Sequence, residues 1–98
     1  MKDIINVISG EILDEDIIVS VKELCRMCKI NHEIVIEMIE EGIIAPKRNE
    51  KIHWQFQGVE IKRIQIALRL KRDLHINTPG VALVLDLLDE IENLRSQK

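Results

Sequence analysis

Two cysteines are the side chains of this sequence best suited to metal or redox chemistry. They enclose the segment "CRMC", from Cys25 to Cys28. A structural zinc site needs four ligands, supplied by two such pairs or by one pair and two histidines. His32 and His53 are the nearby candidates, and the cysteines fall in a segment predicted to form a packed helix. We therefore interpret them as buried apolar thiols and predict neither a metal nor another cofactor.

The sequence contains no recognisable catalytic arrangement of other residues. The three histidines fall in a helix cap, a strand and a loop, and they form no nucleophile–base group with a serine or cysteine. The four glycines are isolated and form no phosphate-binding loop. Acidic residues such as Asp86, Asp89 and Glu90 are predicted to lie on an exposed helix face, where solvation explains them. The sequence therefore predicts a protein that is not an enzyme.

The composition indicates one domain of ordinary globular character. Hydrophobic residues make up 46% of the 98 residues and aromatic residues only 2%, so aliphatic side chains must build the core. No apolar run approaches the roughly 20 residues that a membrane-spanning helix requires. Acidic residues interrupt the apolar clusters near the N-terminus, so we expect a cytoplasmic protein with no membrane partner and with reduced thiols. The net charge of −3 weighs mildly against nucleic acid.

Helix-capping signals position the first half of the chain. Ser20 and Glu23 form a capping-box pattern ahead of a first helix over Val21–Cys28. After a turn, Asn31 is suited to cap a second helix that Gly42 would end. We predict a single domain with three parts: an extended lead-in (1–20), a helix-turn-helix with a wing (21–57) and C-terminal helices (58–95).

The segment after the second helix changes to the alternation of β-strands. The apolar run from Ile43 to Pro46 and the later stretch "IHWQF" predict two short strands around a turn, with Ile52, Trp54 and Phe56 pointing inward. We expect the aromatic pair to pack the wing onto the body rather than to contact a partner. The predicted fold is mainly α: a winged helix-turn-helix with a small β-hairpin wing and a C-terminal helix pair.

Two further helices are predicted, from about Gly58 to Asp73 and from a Thr78 cap to about Arg95. The former contributes apolar residues that are expected to lie partly in the core: Val59, Ile61, Ile64, Ile66, Ala67, Leu68 and Leu70. Its cations are expected on the outer surface: Lys62, Arg63, Arg69, Lys71 and Arg72. The last helix has apolar residues around a wider part of its circumference than is needed to pack against the rest of one monomer. We therefore expect a homodimer through this helix, with an interface of Val81, Val84, Leu85, Leu88 and Ile91.

The second helix is negatively charged, like the DNA phosphates that the recognition helix of a helix-turn-helix protein approaches. Its charged residues are all acidic: Glu33, Glu37, Glu40 and Glu41. Non-specific DNA affinity comes mainly from cations, and direct base readout favours Arg, Lys, Asn or Gln. Charge runs are usually solvated faces, but four carboxylates on this helix predict that nucleic acid is not its partner.

Three segments together resemble one family. They are "VSVKELCRMCKINHEIVIEMIEEGIIAP", "WQF" and "IALRLKRDLHINTPGVALVLDLLDEIENL". They are similar to the CbpM family of chaperone modulators, a branch of the MerR-like winged helix-turn-helix proteins. The resemblance implies a protein that binds the J-domain of a CbpA- or DnaJ-like co-chaperone and inhibits it. It also implies that the J-domain helix facing the DnaK-type chaperone is basic.

The sequence departs from the DNA-binding MerR-type pattern in its helix-turn-helix. Such proteins carry an Arg followed by Tyr residues late in the second helix, where this chain has Ile36, Glu37 and Met38. The turn position often occupied by glycine is Lys29. These departures remove the phosphate and groove contacts that the DNA-binding branch would use.

Three functional hypotheses follow. The first is a J-domain inhibitor that docks through one of two acidic faces, Glu33, Glu37, Glu40 and Glu41, or Asp86, Asp89 and Glu90. The second is a transcription regulator that uses the cations of the third helix together with Lys47, Arg48 and Lys51 of the wing. The third is a dimerisation module without a J-domain partner.

Overall fold

The computed structural model describes residues 17–47 and 54–97. These residues form four helices and one two-stranded sheet, in the order β1 (Ile18–Ser20), α1 (Val21–Cys28), α2 (His32–Glu40), β2 (Gln55–Gln57), α3 (Gly58–Leu74) and α4 (Thr78–Arg95). The predicted mainly α class, the helix-turn-helix and the C-terminal helix pair are confirmed. The predictions for residues 1–16, for Arg48 and Lys51 and for Ile52 and His53 lie outside the described residues.

The helix-turn-helix is set by side chains close to one another in sequence. The Ser20 hydroxyl accepts a hydrogen bond from the Glu23 amide at 3.2 Å, and the Glu23 carboxylate accepts one from the Ser20 amide at 3.0 Å. The bond from the Ser20 amide to the carboxylate is the main cause that lowers the pKa of Glu23, and a side-chain hydrogen bond from Ser20 lowers it further. The Asn31 side chain accepts from the Ile34 amide at 3.0 Å. The predicted start of each helix is therefore confirmed.

The small sheet joins segments other than those predicted. Strand β2 pairs antiparallel with β1, so that Val19 lies opposite Phe56, whereas residues 43–46 form no strand. Ile43 and Ile44 are both buried. Adjacent side chains of a strand point to opposite faces, so two consecutive buried residues do not suit a sheet with one solvated face. The prediction of a strand over residues 43–46 was wrong, and the lead-in supplies the partner strand of β2. The Lys47 amide nevertheless donates a hydrogen bond to the Gln55 carbonyl at 2.9 Å, so the segment after Pro46 still runs beside β2.

The core is aliphatic, as the composition required. Phe56 is fully buried and stacks edge-on against the half-buried Trp54, with ring centroids 6.4 Å apart. This confirms that the aromatic pair packs against the body. The other buried hydrophobic residues are Val19, Leu24, Val35, Met38, Ile43, Ile44, Ile61, Ile64, Ile66, Ala67, Val81 and Leu85. Val59, predicted to belong to the core, is exposed instead.

The turn between α3 and α4 differs from the prediction in its capping residue. Asn77 caps α4, because its side-chain oxygen accepts a hydrogen bond from the Gly80 amide at 2.8 Å. Thr78, predicted as the cap, is the first helical residue and is buried. Its hydroxyl is therefore free to bond to neighbouring helices. None of the helices in the described ranges has the length and apolarity required to cross a membrane.

Candidate protein-interaction surfaces

Helix α2 presents an acidic stripe, made of Glu33, Glu37, Glu40 and Glu41. All four residues are exposed. Glu33, Glu37 and Glu40 recur at steps of four and three residues and so lie on one side of the helix, and Glu41 follows as its C-terminal cap residue. Glu33, Glu40 and Glu41 have no ion pair with another described residue. No large hydrophobic side chain of α2, a helix described in full, is exposed. The stripe therefore offers charge without an apolar contact beside it.

Glu37 differs from the rest of the stripe because it contacts both C-terminal helices. The Thr78 hydroxyl donates to its carboxylate at 3.0 Å, and the ammonium of Lys71 lies 3.6 Å from the same oxygen. Lys71 in turn donates to the Thr78 hydroxyl at 2.6 Å. Glu37 therefore joins α2 to α3 and α4, and its charge is partly compensated within the protein.

The acidic residues of α4 are divided in a similar way. Asp86 and Glu90 are exposed and have no ion pair with another described residue. Asp89 accepts two hydrogen bonds from the Arg63 guanidinium, at 3.0 and 3.3 Å. Arg63 also donates to the backbone carbonyl of Ile43 at 2.6 Å. Asp89 is thus an inter-helix contact, whereas Asp86 and Glu90 are available to a partner.

The outer strip of α4 consists of four exposed aliphatic side chains. Leu83, Leu87, Ile91 and Leu94 are exposed by 60%, 54%, 44% and 60% respectively. Their spacing of four, four and three residues forms a continuous row along one helix face. Sequence reasoning predicted an interface on this helix but did not identify Leu83, Leu87 or Leu94 as its members.

The predicted homodimer interface requires correction. Val81 and Leu85 are fully buried against the monomer core, so they are not available to a second copy. Val84 and Leu88 are half-buried, and Ile91 alone of the five predicted residues is exposed. The apolar arc of α4 contains two stripes. Packing on α3 buries one of them, and this choice is not evident from periodicity alone.

The cations predicted for DNA binding are largely used inside the molecule. Lys62 is only 5% exposed, and the Arg63 side chain is 13% exposed, so the prediction that both stand on the outer surface was wrong. Lys71 contacts Glu37 and Thr78. Arg72 pairs with the adjacent Asp73 at 2.8 Å, and Arg69 also has an interaction partner. Of the five cations of α3, only Arg69 and Arg72 are therefore exposed, and each of them already has an interaction partner.

One basic feature was missed by the sequence reasoning. Helix α1 exposes Lys22 and Arg26, and Lys29 follows at its C-terminal cap. The spacing of four and three residues was visible in the sequence and places these side chains on one side. The two helices of the helix-turn-helix therefore carry opposite charges on their exposed faces.

Neither a metal site nor an activated thiol emerges in the parts of the chain that the structure describes. Cys25 and Cys28 are half-buried rather than fully buried and pack against the core. Burial raises the pKa of Cys25, which disfavours the reactive thiolate. No group of three or more metal-ligating side chains occurs among these residues.

A shallow hollow on α3 is lined by Ile66, Arg69, Leu70, Asp73 and Leu74.

The fold and these surfaces define a MerR-like helix-turn-helix protein whose second helix is acidic, and the chain matches the MerR HTH family regulatory protein family over residues 19–97. It is similar to the chaperone modulatory protein CbpM of Coxiella burnetii, at 40% identity over 91 residues, 93% of this chain and 86% of the relative. The protein of the same name from Pseudomonas entomophila is 33% identical over 76 residues, covering 78% and 75% of the two chains. That from Salmonella arizonae is 32% identical over 78 residues, covering 80% and 77%. The chain belongs to the CbpM family of MerR-like proteins.

Proposed function

We propose that this protein is a cytoplasmic, non-enzymatic chaperone modulator that binds the J-domain of a CbpA- or DnaJ-like co-chaperone and inhibits it. The name of its relatives, chaperone modulatory protein, supports a role in chaperone control. The observation that carries the proposal is the acidic stripe of α2. Three of its four carboxylates have no ion pair with a described residue and stand on the helix that DNA-binding relatives of this fold insert into the groove.

Coulomb's law decides between a nucleic acid and a basic protein helix as the partner. A carboxylate about 4 Å from a phosphate is repelled by roughly 1 kcal/mol even in water, and by more where water is excluded. The same carboxylate attracts a lysine or arginine with comparable strength. A basic J-domain helix therefore suits the stripe, whereas DNA would meet several like charges at once.

Inhibition follows from occlusion in this proposal. The basic J-domain helix that stimulates the DnaK-type ATPase is the helix that an acidic surface would cover. The candidate docking residues are those predicted from the sequence: Glu33, Glu37, Glu40, Glu41, Asp86, Asp89 and Glu90. Glu37 and Asp89 already bond to neighbouring helices, so the remaining five carry most of the available charge.

The test measures the ATPase of a DnaK-type chaperone with its J-domain co-chaperone and increasing amounts of this protein. We expect the stimulated rate to fall to the basal rate, and the inhibition to weaken with added salt because exposed charges are screened. The basal ATPase without the co-chaperone is the control and should not change. Absence of J-domain binding in a low-salt calorimetric titration would contradict the proposal, as would sequence-selective nanomolar DNA binding at physiological salt.

A homodimer through α4 would concern different side chains from those predicted, and it is the alternative to the docking of a partner helix there. Since Val81 and Leu85 belong to the core, a second copy would contact the outer strip of α4 together with Val84 and Leu88. A second copy and a partner helix would then compete for one surface.

A further inference from the structure

We infer that the outer strip of α4 is the docking face for a short amphipathic helix of the partner, one that carries lysine or arginine beside its apolar stripe. This inference rests on the proposed function, because the basic helix of the J-domain is the helix that the strip would receive. It assigns the contact that retains the J-domain to α4, whereas the acidic stripe of α2 attracts it.

The strip has the dimensions of a helix-binding surface. From Leu83 to Leu94 it extends about 16 Å at 1.5 Å per residue, or three helical turns. Its side chains recur at the four- and three-residue steps by which an amphipathic helix anchors itself to a complementary surface. An exposed apolar row of this kind on a small protein usually marks an interaction site.

The charges beside the strip specify a cationic partner. Asp86 and Glu90 lie one turn apart on the same edge of the strip, because at 100° per residue they follow Leu83 and Leu87 around the helix. Both are exposed and have no ion pair with a described residue. Helix α4 contains a single cation, Arg95, at its C-terminal end. The partner must therefore supply the positive charges opposite this edge.

A second copy of the chain fits the same face less well. Four half-exposed aliphatic side chains form a patch of a few hundred Å², whereas a stable interface buries about 800 Å² on each partner. The second copy would also bring its own acidic edge and a net charge of −3. Its α4 would offer a single cation, Arg95. Charge complementarity and area therefore both favour a basic helix.

The acidic stripe of α2 lacks the apolar contact that would retain a partner. No large hydrophobic side chain of that helix is exposed. Exposed charges mainly raise the association rate, whereas desolvated apolar anchors slow dissociation. The α2 stripe therefore attracts the partner, and the α4 strip holds it.

Calorimetric titration of the full chain with a J-domain tests this assignment. We expect Leu87→Gln/Leu94→Gln to weaken binding about tenfold or more, as for loss of central anchors. Asp86→Lys/Glu90→Lys should weaken it by a similar factor. Glu33→Lys/Glu40→Lys is the matched control, because it changes the net charge by the same amount, and it should weaken binding by about threefold or less. All six positions are exposed, and circular dichroism verifies that each variant is folded.

The other outcomes separate the two proposals. Loss of affinity in the α2 variant with none in the α4 variants would overturn this inference and retain the proposed function. A wild-type dimer in sedimentation that Leu87→Gln/Leu94→Gln converts to monomers would also overturn it, because a second copy would then cover the strip. If no J-domain binds the wild type, the proposed function fails. In that case a synthetic lysine–leucine amphipathic peptide tests the strip. If the peptide binds the wild type and Asp86→Lys/Glu90→Lys abolishes the binding, the inference is supported. If that variant binds the peptide as well as the wild type does, the inference is overturned.

Discussion

The outer faces of α2 and α4 are alike in their acidic residues and differ in the apolar residues beside them. Each bears exposed carboxylates, and in each one acid is engaged by a neighbouring helix, Glu37 by Lys71 and Asp89 by Arg63. The difference is the row of exposed leucine and isoleucine side chains on α4, which α2 lacks. Two acidic clusters can therefore have unequal roles, because charge brings a partner close but apolar contact keeps it bound.

The two internal ion pairs show a second contrast. The Arg63 side chain is 13% exposed and satisfies the Ile43 carbonyl as well as Asp89, whereas Lys71 is 33% exposed and Glu37 50%. A shielded arginine with several bonds contributes more stability than a solvated lysine pair. The contact between α3 and α4 should consequently be the stronger of the two.

The largest expected effect is on stability. Arg63→Ala should lower the free energy of unfolding by about 2 kcal/mol, because it leaves the Ile43 carbonyl and Asp89 without their donor. Lys71→Ala, the matched control at the more exposed pair, should cost less than about 1 kcal/mol. Urea unfolding monitored by circular dichroism measures both. Equal losses in the two variants would remove the contrast between the two contacts.

A smaller loss is expected at the junction of α2 with the C-terminal helices. Thr78→Val should lower the free energy of unfolding by about 1 kcal/mol, since the hydroxyl bonds to both Glu37 and Lys71. Thr78→Ser keeps the hydroxyl and serves as the control. If the valine and serine variants unfold at the same urea concentration, the hydroxyl does not link the helices.

A kinetic experiment distinguishes attraction from retention. Glu33→Lys/Glu40→Lys should lower the association rate with the J-domain by about threefold and leave the dissociation rate nearly unchanged, since exposed charges act on the encounter. Leu87→Gln should instead raise the dissociation rate. Surface plasmon resonance at two salt concentrations measures both rates. A faster dissociation of the α2 variant would assign that helix a direct contact with the partner.

The smallest effects concern the turns that lead into α2 and α4. Lys29 and His75 have positive φ angles of 56° and 55°, a conformation that glycine adopts without a steric penalty. Lys29→Gly and His75→Gly should each raise the free energy of unfolding by about 0.5 kcal/mol and leave J-domain binding unchanged. Thermal unfolding detects the change.

The opposite substitution provides the control for these turns. Gly42 has a φ of 76°, and an added methyl group would meet no atom within 4 Å. Gly42→Ala should therefore destabilise the protein by about 1 kcal/mol through backbone conformation alone. A stabilised alanine variant would contradict this account of all three positions.

The sequence by itself determined the local structure. The starts of α1 and α2, the turn at Lys29 and the acidic character of α2 were predicted, because they depend on residues within a few positions of one another. The aliphatic core was predicted from composition, because the chain has almost no aromatic residues. The capping contacts between Ser20 and Glu23 are of this kind. Hydrogen bonds over three or four residues form wherever the helix forms, whatever packs around it.

Tertiary structure alone decided the contacts between distant segments. It paired β2 with the lead-in strand, and it placed Arg63 between Ile43 and Asp89. It also buried Val81 and Leu85 while leaving Leu83 and Leu87 exposed. Periodicity describes how the side chains of one helix are arranged around it, but which apolar stripe becomes buried depends on the shape and position of the helix packed against it.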